Sequence, residues 1–171
     1  MARRIALVGL ALVLVTVNVS ILRTERHLAG GRIVYLELAP VDPRSLMQGD
    51  YMALRFEVGN QVVAALPKTD GRRRHDVDAT DGHVVLRLDE RQVGTFARLD
   101  DGSALAENEI RLRYRVRNGT VKFATNAFFF QEGHALLYEP ARYGLFRVND
   151  RGEPLLTTMH GEDLARLGPG D

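Results

Sequence analysis

The sequence predicts a mainly β protein: an N-terminal transmembrane helix followed by one β-barrel or β-sandwich domain, with a short helix near residues 134–143. Three observations carry this prediction. Ile5 to Leu22 is an uncharged run of eighteen residues directly behind Arg3 and Arg4. Beyond it, apolar and polar residues alternate with a period of two in segment after segment, the pattern of half-buried strands. Between those segments fall Asn-Gly, Asp-Gly and Arg-Gly pairs that mark tight turns.

At about 1.5 Å per residue the uncharged run spans roughly 27 Å, enough for a hydrocarbon core. A cleavable signal has a shorter apolar region, about 7–15 residues, and a small-residue cleavage site. Here Arg23-Thr24-Glu25-Arg26 follows instead. Residues 1–26 therefore read as an uncleaved anchor, residues 27–160 as one domain and residues 161–171 as a Gly-rich flexible tail. The arginines before the run hold the N-terminus in the cytoplasm by the positive-inside rule, which puts the domain on the far side. Arg23 and Arg26 place positive charge on the outer flank as well, and Gly30-Gly31 reads as a hinge.

The domain opens with Arg32 to Leu38, where Val34, Leu36 and Leu38 share a face. Asp42-Pro43 then suits a helix N-cap with proline at the first helical position, and Gly49 suits a left-handed stop, so Pro43 to Gln48 reads as a short helical turn. From Tyr51 the pattern returns to alternation, with Met52, Leu54, Phe56 and Val58 pointing one way. Asp50 sits at the junction, where a carboxylate accepts backbone N–H bonds and fixes the strand's entry. Lys68 to Asp81, with Arg72-Arg73-Arg74, reads as a solvated loop, and Asp81-Gly82 as a turn. Val84, Leu86 and Leu88 form the next apolar face.

Ile110, Leu112, Tyr114 and Val116 alternate with Arg111, Arg113, Arg115 and Arg117. Asn118-Gly119 follows, the preferred pair of a type I′ turn, and Thr120 to Ala124 returns as the second hairpin strand. Asp101-Gly102 and Arg151-Gly152 mark two further turns. Phe128 to Phe130 reads as a buried strand broken by Gln131-Glu132-Gly133. His134 to Tyr143 suits a short helix that Pro140 must kink or divide. Leu145 to Val148 and Leu155 to Met159 then close the fold.

Two of these segments carry a resemblance. Gly49, Asp50, Tyr51, Leu54 and Phe56 are similar to the signature of the bacterial GDYXXLXY family, with Phe56 in place of its last tyrosine. Phe129, Glu132, Gly133, Tyr138, Glu139 and the run Ala141-Arg142-Tyr143-Gly144 resemble a second pattern of the same family. The resemblance implies a bacterial protein anchored in the inner (cytoplasmic) membrane by one span, with an extracytoplasmic, periplasmic domain. It also implies relatives encoded near multispanning membrane proteins, and no particular reaction.

Composition excludes several chemistries. The chain has no cysteine and a formal net charge of +1, so thiolate catalysis and disulfides are ruled out and nucleic acid is not an expected partner. His27, His75, His83, His134 and His160 have no spacing that puts two on one strand or helix face, so no metal and no cofactor is expected. The Gly49-Asp50 pair invites comparison with Ser–Lys signal peptidases. Ser45, however, lies too near Gly49, and Lys68 and Lys122 are the sole candidate bases. The row of arginines is the most unusual surface: it calls either for acidic residues on adjacent strands or for an anionic partner such as lipid phosphate.

The expected function is therefore a non-enzymatic accessory protein, held in the membrane by residues 5–22, whose β domain binds a multispanning membrane protein. The candidate binding residues are Asp42, Arg44, Gly49, Asp50, Tyr51, Leu54, Phe56, Glu132, Gly133, Arg142 and Tyr143. Arg111, Arg113, Arg115 and Arg117 form a second candidate face for an anionic partner. A ligand-binding module with a pocket near Asp50 and Tyr51, or a signal-peptidase-like hydrolase, are the alternatives.

Overall fold

The computed structural model describes residues 2–40, 47–48, 51–67, 78–125 and 127–169. Helix α1 (Ala2–Gly30) runs straight into strand β1 (Arg32–Glu37). Strands β2 (Met47–Gln48) and β3 (Tyr51–Ala53) precede helix α2 (Glu57–Ala65). Then come β4 (Thr80–Leu88), β5 (Gly94–Leu99), β6 (Glu109–Arg117), β7 (Thr120–Lys122) and β8 (Ala127–Phe129). The one-turn helix α3 (Ala135–Tyr138), β9 (Tyr143–Val148) and β10 (Pro154–His160) complete the chain.

The strands form three sheets ordered β1-β9-β10, β2-β3-β8 and β5-β4-β6-β7, all with antiparallel neighbours. A parallel bridge between Tyr35 and Val93 joins the first sheet to the third, so the whole curls into a half-barrel. Its concave side holds the core. Val34 and Leu36 of β1, Val84 and Leu86 of β4, Leu112 and Val116 of β6, Phe123, Phe146 and Met159 are all fully buried. These are the apolar faces that the alternation predicts, down to Met52, Leu54, Phe56 and Val58, which are all buried.

Several local expectations are corrected. Met47 and Gln48 belong to a strand, with Met47 opposite Met52 and Gln48 opposite Tyr51, and do not close a helical turn. The alternating strand from Tyr51 ends at Ala53, and α2 begins at Glu57. Val58, Gly59 and Val62 form its buried face. A Cβ at Gly59 would stand 3.4 Å from the Val121 Cβ, so the missing side chain lets this helix lie close on β7. Packing overrides the poor helix propensity of valine and glycine here.

Asp81-Gly82 is no turn but lies within β4, Asp81 opposite Arg115 and Gly82 opposite Tyr114. A Cβ at Gly82 would fall 2.8 Å from the Tyr114 hydroxyl, so the glycine makes room for a buried tyrosine ring. The helix expected over 134–143 is one turn, and residues 139–142 beyond it are not helical, as Pro140 dictates. The Asn118-Gly119 turn has φ of 53° and 67°, the positive pair that a type I′ hairpin requires.

The supposed hinge at Gly30-Gly31 is fastened. Gly31 N donates to His27 O at 2.9 Å, and Arg147 Nη1 donates to Gly31 O at 3.1 Å. His27 Nε2 lies 2.9 Å from Arg147 O. A Cβ at Gly31 would come within 2.6 Å of His27 O, so this junction needs glycine. The segment read as a loose tail folds back on the domain: Leu167 N donates to Met159 O at 2.9 Å, and Gly161 N to Ala165 O at 3.0 Å. Among the described residues no helix is long and apolar enough to cross a membrane. Ile5, Ala6 and Val8 of the apolar run are outside the residues whose side chains are described.

Candidate functional site

The two segments singled out by the sequence meet in the β2-β3-β8 sheet. β3 pairs with β8, Tyr51 opposite Phe129 and Met52 opposite Phe128, and the rings of Tyr51 and Phe129 are 5.7 Å apart. Phe128 and Phe130 both rest on the buried Tyr138, each at 5.1 Å, one edge-on and one stacked. Phe56 lies over Gly144, where a Cβ would stand 3.0 Å from its ring edge. It also contacts Phe146 at 5.3 Å and Phe123 at 6.2 Å.

Backbone bonds fix the same junction. Leu38 N donates to Arg142 O at 2.8 Å, Ala39 N to Arg55 O at 2.9 Å, and Arg142 N to His160 O at 2.8 Å. Tyr143 lies between Glu37 and His160 in register. Leu54 and Phe56 are buried core residues, while Glu132 and Gly133 form an exposed turn with Gly133 at φ 82°. The Arg142 guanidinium contacts Ala141 O at 3.5 Å. Asp42, Arg44, Ser45, Gly49 and Asp50 lie outside the described residues, as do Lys68, Arg72-Arg73-Arg74 and His75, so any pairing of Arg142 with Asp42 or Asp50 does too.

Sequence reasoning missed His160, because the last alternating segment stops at Met159. Its ring is buried, with Nδ1 2.7 Å from Leu164 O and Nε2 2.8 Å from Thr158 Oγ1. A carbonyl only accepts, so Nδ1 carries a hydrogen toward Leu164 O, and the Thr158 hydroxyl can partner Nε2. Tyr35 meets the same ring edge-on at 5.1 Å. Nothing in the pattern of a lone histidine signals this role, which is to tie the end of the chain to β1.

The arginine face resolves largely into ion pairs. Arg111 lies 2.9 Å from Asp100, although its Nε–H is not aimed well enough for a hydrogen bond. Arg113 stands between Asp81 at 3.9 Å and Glu153 at 3.7 Å, and Arg117 reaches Asp81 at 2.7 Å. Arg115 donates to Ala124 O at 3.3 Å and has no carboxylate partner among the described residues. At the head of the strand, Glu109 is buried and pairs with Arg98 at 2.8 Å.

The family model described as GDYXXLXY protein matches residues 13–159. The chain belongs to the GDYXXLXY family. No curated protein and no solved structure matches it. In this GDYXXLXY protein the described signature residues divide by role: Leu54 and Phe56 build the core, and Tyr51 covers Phe129 at the surface. The Phe56 ring edge faces Gly144, which belongs to the second motif, so the two halves of the signature are packing partners.

Among the described residues no group of three or more His, Asp or Glu is placed to hold a metal. Lys122 lines a shallow cleft of about 240 Å³ with Arg113, Arg115 and Glu153. The electrostatics of the site lie in its carboxylates. The hydrogen bond from Arg98, followed by that from the Ala106 N–H, holds the Glu109 carboxyl below its ordinary range. A lowered native pKa means that the ion pair stabilises above the ordinary carboxylate range and is lost as pH falls through the native value. Glu109→Gln should therefore lower the urea midpoint near neutral pH, and the gap from wild type should close below about pH 4. Urea titrations of both proteins across that range check this.

Proposed function

We propose that this GDYXXLXY protein is a single-pass accessory protein of the bacterial inner membrane, with its β domain outside the cytoplasm binding a membrane-protein partner. The observation that carries the reading is α1. Leu7, Leu10, Leu12, Val13, Leu14, Val15, Val17, Val19, Ile21 and Leu22 are all exposed, on every side of the helix. A helix apolar all round has no stable place in water, and lipid is the solvent that covers it. Polar residues in the run support this: Thr16 Oγ1 donates to Leu12 O and Asn18 Nδ2 to Leu14 O, both at 2.8 Å, which satisfies them within the helix.

The partner surface is assigned to the segment beside the motif junction. Phe129 is 73% exposed, Leu136 74% and Leu137 46%, three large apolar side chains within one short stretch of chain. Large exposed apolar side chains gathered in one segment are candidates for an interaction surface. β1 leads from the anchor junction to this end over six residues, roughly 20 Å at about 3.3 Å per residue, so this segment lies about one strand length from the junction.

Topology is tested by fusing alkaline phosphatase after Asp171. The fusion should be active, and the membrane fraction should hold the full-length chain. An inactive fusion, or a shortened soluble product beginning after about residue 20, contradicts the reading.

A further inference from the structure

Where α1 meets the domain, its last turns and the turn between β9 and β10 enclose a cleft of about 490 Å³. Arg23 and Arg26 line one wall and Arg151 the other, with His27, Asn149 and Glu153 between them. Arg23 and Arg26 are three residues apart on the helix and so share a face. The walls are held together by the contact of His27 with Arg147 O and by the bond from Arg147 to Gly31 O.

The guanidinium groups of Arg23 and Arg26 have no hydrogen bond or ion pair among the described residues, and the charge of Arg151 acts on the Glu153 carboxylate without a hydrogen bond to it. Elsewhere Arg98, Arg111, Arg113 and Arg117 have carboxylates, and Arg32 and Arg147 have carbonyls. Within the cleft Glu153 accepts from Asn149 Nδ2 at 2.8 Å and feels the charges of Arg151 and Arg113. Asp150 is the remaining acid on the lining. Three guanidinium groups against two carboxylates, one of them shared with Arg113, leave the cleft net positive, and guanidinium groups bind phosphate oxygens through paired hydrogen bonds.

We propose that this cleft binds the phosphodiester of an anionic phospholipid headgroup in the outer leaflet. The inference rests on the anchored reading, since Arg23 directly follows the apolar run and so lies at headgroup depth. It accounts for the positive charge on the outer flank, which the positive-inside rule does not call for. The headgroup sets the domain's tilt on the bilayer, because one wall of its site is the anchor and the other is the domain.

The test uses the full-length protein in nanodiscs of phosphatidylcholine with phosphatidylglycerol as the minor lipid, with co-retained lipid read by native mass spectrometry. Wild type should retain phosphatidylglycerol over phosphatidylcholine by about tenfold relative to their bulk ratio. The variant Arg23→Gln/Arg26→Gln/Arg151→Gln should lose that preference at an unchanged melting temperature, since all three residues are exposed, and Arg91→Gln should keep it. Equal retention by the triple variant, or no preference in wild type, overturns the proposal. Saturable binding of soluble glycerophosphoglycerol in pure phosphatidylcholine discs, lost in the triple variant, would reassign the cleft to a soluble phosphodiester and also overturn it. Alkaline carbonate extraction separates the two readings: release of wild type would defeat the anchor itself, whatever the cleft binds.

Discussion

Replacing Phe56 by alanine is expected to cost about 3–5 kcal/mol, a large part of the stability of a domain this size. The ring is 6% exposed and joins Gly144, Phe146 and Phe123 across the half-barrel. Its loss leaves a cavity between β9 and the strand end after β7, where the backbone is fixed on both sides and cannot collapse. Gly144→Val attacks the same contact from the other side, since its Cβ would lie 3.0 Å from Phe56 and 3.1 Å from Leu156. Both variants should lower the thermal midpoint, followed by circular dichroism in mild detergent, by far more than Phe129→Ala at the surface. A Phe56→Ala protein that melts within a degree or two of wild type would show that the two motifs are not packing partners.

The second large effect concerns the proposed anchor. Val13→Arg places a charge near the middle of the apolar run, a change that costs about 2.5–3.5 kcal/mol on the insertion scale at a helix centre. The run is already diluted by Thr16, Asn18 and Ser20, so little margin remains to absorb that penalty. The carbonate-resistant fraction of Val13→Arg should fall sharply while the soluble fraction rises. Val13→Leu, which keeps the apolar surface, should behave as wild type. Full membrane retention of the arginine variant would contradict a spanning α1.

The strands were legible because period-two alternation depends only on which face is wet. It places Val34, Leu36, Leu86, Leu112 and Val116 in the core without knowledge of their neighbours. What alternation cannot show is a contact that rests on a missing side chain. Gly82 reads as a turn but serves Tyr114, and Gly31 reads as a hinge but locks α1 to β9, while Gly59, which follows a segment read as strand, seats α2. Each depends on a partner far away in sequence. The motif residues were legible as a group, yet their division was not, because Phe56 and Tyr51 lie in one segment and only the fold sends one to Phe146 and the other to Phe129. The ion pairs of the arginine face follow from strand register, which sets Asp81 beside Arg113 and Arg117.

Co-purification from native membranes in mild detergent, followed by quantitative mass spectrometry, tests the accessory role most directly. The wild-type chain should bring down a multispanning membrane protein in near-stoichiometric amount, and Phe129→Ser/Leu136→Ser should lose it while remaining folded and in the membrane fraction. Recovery of the wild-type chain alone, or of the same partner with the double variant, would contradict a partner-binding function centred on this patch.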